Sequence, residues 1–171
     1  MRVLISEEEL QARIDELGAA IAVDYNGTRP VLICVLKGAV FFIADLARRL
    51  PFDLEMEFMA VSSYGASTDS SGVVRILKDL DTDIDGRHVL IVEDIIDSGQ
   101  TLEYLTRSLK ARNPASLAIV TLLSKPSRRT ADLDCRYTGF EIPNEFAVGY
   151  GLDHAEKYRN LPYIGVVDDP E

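Results

Sequence analysis

Residues 89–102 read VLIVEDIIDSGQTL, a run that begins apolar, gains carboxylates at Glu93, Asp94 and Asp97, and closes on a small, hydroxyl-rich loop. HVLIV (88–92) is short, continuous and rich in β-branched residues, which predicts a strand buried on both faces. TLEYLTRSLKAR (101–112) then has the apolar spacing of a crossover helix. In open α/β sheets ligands sit beyond the carboxyl ends of the strands, and the first N–H groups of a helix lack intrahelical partners. Asp97, Ser98, Gly99, Gln100 and Thr101 therefore read as an anion cradle, with Gly99 permitting close backbone approach. Glu93 and Asp94 would repel a phosphate unless they face another part of the same ligand. A sugar phosphate meets both demands, its phosphate in the loop and its vicinal hydroxyls donating to the acidic pair. The alternative, that the acids merely cap the helix, suits Asp97 or Ser98 but not a carboxylate pair at the end of a buried strand.

The rest of the chain extends the same pattern. Ser6-Glu7-Glu8-Glu9 fits a capping box, and Leu10, Ile14, Leu17 and Ile21 recur at helical spacing to a stop near Asn26-Gly27. VLICVL (31–36) predicts a second buried strand, followed by a helix over AVFFIADLARRL with Phe41, Phe42, Leu46 and Leu50 inward. LEMEFMAVSSY (54–64) and VVRIL predict strands around GASTDSSG (65–72), a mobile loop or hairpin tip. LAIVTLL adds another buried strand, and short strands follow around YTGFEI, FAVGYG and YIGVV. The expected fold is α/β, a doubly wound, mainly parallel sheet flanked by helices. One domain spans 1–171, with its core at about 28–135 and a small hood from the N-terminal segment and about 136–171.

Bulk composition narrows the partners. A formal charge of -10 disfavours nucleic acid and anionic lipid, and favours small molecules. No apolar run reaches the roughly 18 residues of a membrane span, and the N-terminus turns acidic too early for a secretory signal. A cytoplasmic protein is expected, with Cys34 and Cys135 as two reduced thiols. DTDIDGRHVLIVE (81–93) nearly spells a calcium loop, but its closing glutamate falls one residue late, so the aspartates read as a solvated turn. Neither a Walker A motif nor a dinucleotide fingerprint occurs, and His88 and His154 stand alone in the sequence.

VLIVEDIIDSGQTL resembles the signature of type I phosphoribosyltransferases, and EDIIDSG is similar to their 6-oxopurine branch, the hypoxanthine-guanine phosphoribosyltransferases. LKGA (36–39), SSYG (62–65) and GFEIPNEFAVGYGLDHAEKYRNLPYIGVV (139–167) match that branch in the same order. The resemblance implies the type I phosphoribosyltransferase fold and transfer from 5-phosphoribosyl 1-pyrophosphate to hypoxanthine or guanine, giving IMP or GMP, with Mg²⁺.

Residue by residue, the resemblance puts the 5′-phosphate on Asp97–Thr101 and the ribose on Glu93 and Asp94. Lys37, Gly38 and Arg159 would hold pyrophosphate, with a cis peptide before Lys37. Asp97 would exchange a proton with purine N7, Phe146 would stack on the base, and Lys125 would donate to its 6-oxo group. Ala147 and Asp153 would complete the purine site, Asp153, Glu93 and Asp94 would serve the metal, and Ser63 and Tyr64 would open a closing loop. The family habit of dimers or tetramers implies a homo-oligomer. Ala39, Gln100 and Ala147 depart from the usual residues of their motifs, leaving preference among hypoxanthine, guanine and xanthine open. Two rivals follow: a xanthine-preferring relative, and a regulator on the same fold that binds nucleotide or RNA.

Overall fold

The computed structural model describes residues 1–63 and 74–169, with nothing of the Ser63 side chain. Tyr64 and the expected loop at 65–72 lie outside the described residues. Among the described residues a six-stranded sheet is formed by β2 (Val31–Leu36), β3 (Glu55–Ser63), β4 (Val74–Lys78), β5 (His88–Ile96), β6 (Ser116–Ser124) and β7 (Tyr137–Glu141), in the order β4-β3-β2-β5-β6-β7. All neighbouring pairs are parallel except β3 with β4. The chain steps outward from β2 to β3 and, separately, from β5 through β6 to β7. The order thus reverses between β2 and β5, where open α/β sheets carry their binding crevice.

Strand alternation explains the layers. Leu32, Cys34, Leu90 and Val92 pack with α1 (Glu7–Asp24) and α2 (Val40–Ala47) in one apolar cluster. Val31, Ile33, Val35, Val89 and Ile91 face the other way, onto Leu102, Leu105 and Leu109 of α3 (Gln100–Lys110). Because both faces are covered, β2 and β5 read as continuous apolar runs. The capping box forms as expected, Ser6 accepting from Glu9 N and Glu9 reaching back to Ser6 N.

A second sheet joins the chain ends in the order β1-β9-β8, from β1 (Arg2–Ile5), β8 (Ala147–Val148) and β9 (Ile164–Val166). The sequence reading missed β1, which is too short to show a period and gains its partners only from β9, over 150 residues away. The boundary between core and hood also needs correcting. β7 pairs in parallel with β6, and α1 buries Leu10, Ile14, Leu17 and Ile21 in the main core, so both belong to the large layer. Phe41 is not inward: it is 42% exposed and tilts against Tyr150, while Phe42, Ile43 and Leu46 turn to the sheet. None of the described helices is long and apolar enough to cross a membrane.

Candidate active site

β5 is longer than its apolar run. Ladder pairing with β6 continues through Glu93 with Thr121 to Ile96 with Ser124, whereas pairing with β2 stops at Cys34 with Val92. Glu93 and Asp94 therefore lie inside the strand, correcting their expected place beyond it, on a stretch that has lost its β2 neighbour. The chain of β2 instead turns at Lys37-Gly38, after a cis Leu36–Lys37 peptide bond. A side chain at Gly38 would fall onto the Asp94 carboxylate, and one at Gly151 onto the carbonyl oxygen of Gly38. Backbone contact at these glycines brings three sequence-distant segments together.

Electrostatics single out the acidic pair. Burial, then the adjacent Asp94 charge, raises the Glu93 pKa well above the ordinary carboxylate range. Burial raises Asp94 as well, offset in part by hydrogen bonding from Glu93 and the nearby Arg159 charge. Two crowded carboxylates are a hard-oxygen donor set, suited to ligand hydroxyls or to an ion such as Mg²⁺ that retains substrate oxygens in its shell. Asp153 offers similar donors, with Oδ2 accepting from Glu156 N at 2.8 Å and Oδ1 lying 3.3 Å from Arg159.

The loop after β5 shares a cavity of about 150 Å³ with Glu93, lined by Asp97, Ser98, Gly99 and Thr101. Gly99, the N-cap of α3 at φ 87°, has no side chain to offer, and the first helical N–H, that of Gln100, donates to Ser98 Oγ at 3.4 Å. Asp97 is not spent on capping. Its carboxylate faces Lys125 at 3.5 Å and accepts from Arg128 Nε at 3.0 Å. Lys125, only 7% exposed, follows β6 directly, so strand pairing places it beside the β5 loop.

Around the turn after β2, Lys37 Nζ meets Glu156 at 3.3 Å, and Arg159 meets Glu156 at 3.0 Å. Arg159 also donates to Gly151 O at 2.7 Å, while its buried Nε has no hydrogen-bond partner. Phe146 is 40% exposed, edge-on to His154 at 5.2 Å, so it is not a core residue; Ala147 is buried in β8. Sequence reasoning missed Arg128 and Glu156. Nothing distinguishes Arg128 from its neighbour Arg129, and Glu156 gains its meaning only from Lys37, 119 residues away.

Residues 6–155 match the model of the phosphoribosyl transferase domain. This chain belongs to that family. Within it, the hypoxanthine-guanine phosphoribosyltransferase of Mycobacterium tuberculosis is 59% identical over 97% of this chain and 85% of the relative. That of Bacillus subtilis is 58% identical over 97% and 92%. A hypoxanthine phosphoribosyltransferase structure from Staphylococcus aureus superposes with a TM-score of 0.95 at 49% identity, covering 98% of this chain and 91% of that one. The chain is thus a transferase of the hypoxanthine-guanine phosphoribosyltransferase family, and the type I phosphoribosyltransferase fold expected from the sequence is the one it adopts.

Proposed function

We propose that the protein is a purine-salvage enzyme that transfers phosphoribose from 5-phosphoribosyl 1-pyrophosphate to hypoxanthine or guanine, releasing IMP or GMP and pyrophosphate. The observation that carries this reading is the Lys125–Asp97 pair at the carboxyl ends of β6 and β5, next to the cavity shared by Glu93 and the loop. An ammonium donor is matched to a 6-oxo group and mismatched to a 6-amino group, which would present another donor. Asp97 can hold the proton on the imidazole side of the purine and accept it as the new bond forms from ring nitrogen to ribose C1. As that bond forms, the bond from C1 to pyrophosphate breaks and the electron pair leaves with pyrophosphate. Positive character grows on the sugar, near Glu93 and Asp94, and negative charge on the leaving group, near Lys37 and Arg159.

The 5′-phosphate would sit in the loop 97–101 at the start of α3. Phe146 offers an exposed ring for stacking on the base, with backbone at Ala147 and the region of Asp153 closing the purine edge. Mg²⁺, held by Asp153 or by Glu93 and Asp94 with substrate oxygens, would neutralise phosphate charge. The net charge of -10 suits a protein that engages no nucleic acid or membrane, and family habit supports a cytoplasmic homo-oligomer.

The test is product formation from 5-phosphoribosyl 1-pyrophosphate and Mg²⁺ with hypoxanthine, guanine, xanthine and adenine in parallel. Turnover of hypoxanthine or guanine, and silence with adenine, is expected. Turnover of xanthine alone would replace the substrate assignment, and silence with all four from folded protein would overturn the reading.

A further inference from the structure

Glu156 is the one acidic side chain among the described residues that bridges two cations assigned above to the pyrophosphate seat. It meets Lys37 at the end of β2 and Arg159 six residues after Asp153. The Arg159 contact is local, three residues along the chain, whereas Lys37 lies 119 residues away, so chain proximity alone does not make the bridge. The backbone holds it deliberately: Ala155, Glu156 and Tyr158 all have positive φ, of 51°, 62° and 77°, a region that side chains rarely occupy without compensation. Compensation is visible in the Asp153 carboxylate, which accepts from Glu156 N, and in the paired backbones of His154 and Lys157. A carboxylate nevertheless fits the seat incompletely, because the buried Nε of Arg159 stays without an acceptor.

We propose that Glu156 is a built-in stand-in for pyrophosphate, occupying the seat between Lys37 and Arg159 in the ligand-free protein, leaving as the diphosphate enters and returning as it departs. This rests on the assignment of Lys37 and Arg159 to pyrophosphate made above. A diphosphate carries more charge and more acceptors than one carboxylate, enough to satisfy both cations and the spare Arg159 donor, so it displaces the side chain. The carboxylate in turn keeps the two cations from holding the product too tightly. Its effect is to weaken pyrophosphate affinity and speed release while leaving the bond-breaking step untouched. Such an exchange sets turnover wherever departure of product is slow.

The experiment is calorimetric titration of the full chain with pyrophosphate and Mg²⁺, alongside steady-state kinetics, for wild type, Glu156→Gln, Glu156→Asp and Arg159→Ala. Glu156→Gln is expected to bind pyrophosphate about five- to tenfold more tightly, the size of losing two exposed ion pairs. KM for 5-phosphoribosyl 1-pyrophosphate and kcat should both fall in that variant, a split that loss of structure would not produce. Glu156→Asp keeps the charge but is one methylene too short to span both cations, and it should shift in the same direction by a smaller factor. Unchanged or weaker binding by Glu156→Gln would overturn the proposal. So would tight binding by Glu156→Gln with Glu156→Asp at the wild-type value, which would reduce the effect to net charge. If Arg159→Ala left pyrophosphate binding intact, the seat itself would be misassigned and both readings would fall.

Discussion

The ammonium group of Lys125 lies 3.5 Å from the carboxylate of Asp97, across the parallel pair β5 and β6. The carboxylate offsets the cost of burying an ammonium. Arg128 adds a second donor to Asp97 from the exposed side. A purine entering here would meet a donor and a proton acceptor already held apart at fixed positions.

Replacing Asp97 with Asn preserves shape and removes the proton acceptor. The expected result is a fall in kcat of about 10²–10⁴-fold, the usual worth of a positioned acid–base group, with folding retained. Steady-state kinetics beside a thermal melt would check it, and unchanged kcat would sink the assignment.

Lys125→Ala should act on the base and not on the sugar phosphate. KM for hypoxanthine is expected to rise by at least tenfold while KM for 5-phosphoribosyl 1-pyrophosphate changes little, since one lost charge-assisted hydrogen bond is worth about 1.5–3 kcal/mol. The discrimination against adenine should shrink in parallel. Competition assays with both bases separate this outcome from general disruption.

The acidic pair makes a pH-dependent prediction. Glu93 and Asp94 have raised pKa values in the folded chain, so between the ordinary carboxylate range and those raised values the folded state binds more protons than the unfolded one. Stability from this pair is therefore greatest below the ordinary range and falls as pH rises through the raised values. Glu93→Gln is expected to stabilise the ligand-free protein at pH 8 by about 1–3 kcal/mol, with the gain narrowing as pH falls toward 4.5. Denaturant titrations at pH 8 and pH 5 would show the narrowing or refute it.

Gly38→Ala should damage the site more than the fold. The added methyl falls on the Asp94 carboxylate, which must move or push the turn after β2 aside. An overpacking cost of about 1–3 kcal/mol is expected, with loss of most activity, whereas Gly86→Ala, which meets nothing within 4 Å, should cost only its positive-φ strain. Melting temperature and turnover of the two variants give the comparison.

Tyr150 ties the hood segment to the main body. Its hydroxyl donates to Asp45 of α2, one residue before Gly151 packs on Gly38. Burial works to raise the Asp45 pKa, yet the hydrogen bonds from Tyr150, Gln11 and Arg48 outweigh it and hold the carboxyl below its ordinary value. Tyr150→Phe is expected to cost about 1 kcal/mol of stability and to raise hydrogen exchange across 149–159. Equal exchange in the two proteins would show that the tether does not hold that segment.

Much of this was legible in the residues themselves. Continuous apolar runs at 31–36 and 88–92 announced strands buried on both faces, because only a sheet covered by two helix layers can hide every side chain of a strand. The capping box at Ser6 was local, and local hydrogen bonding needs no distant partner. GASTDSSG, equally readable as a loop, lies outside the described residues.

The sequence by itself thus determined the α/β alternation, the acidic pair, the glycine loop that opens α3 and, through motif order, the family. Tertiary structure decided what depends on long-range pairing. The run HVLIV ends at Val92, but the ladder with β6 carries β5 on to Ile96 and so puts Glu93 and Asp94 inside a strand. Pairing with β9 made β1 a strand, and pairing with β6 moved β7 out of the hood. Side-chain partners followed the same logic: Lys125 finds Asp97 only after the parallel strands β5 and β6 have set their carboxyl ends side by side, and Glu156 finds Lys37 only after the segment between β8 and β9 has been brought to the end of β2. Periodicity records which face of an element is buried, whereas the identity of the neighbour across the sheet is set by chain crossovers that no local pattern encodes.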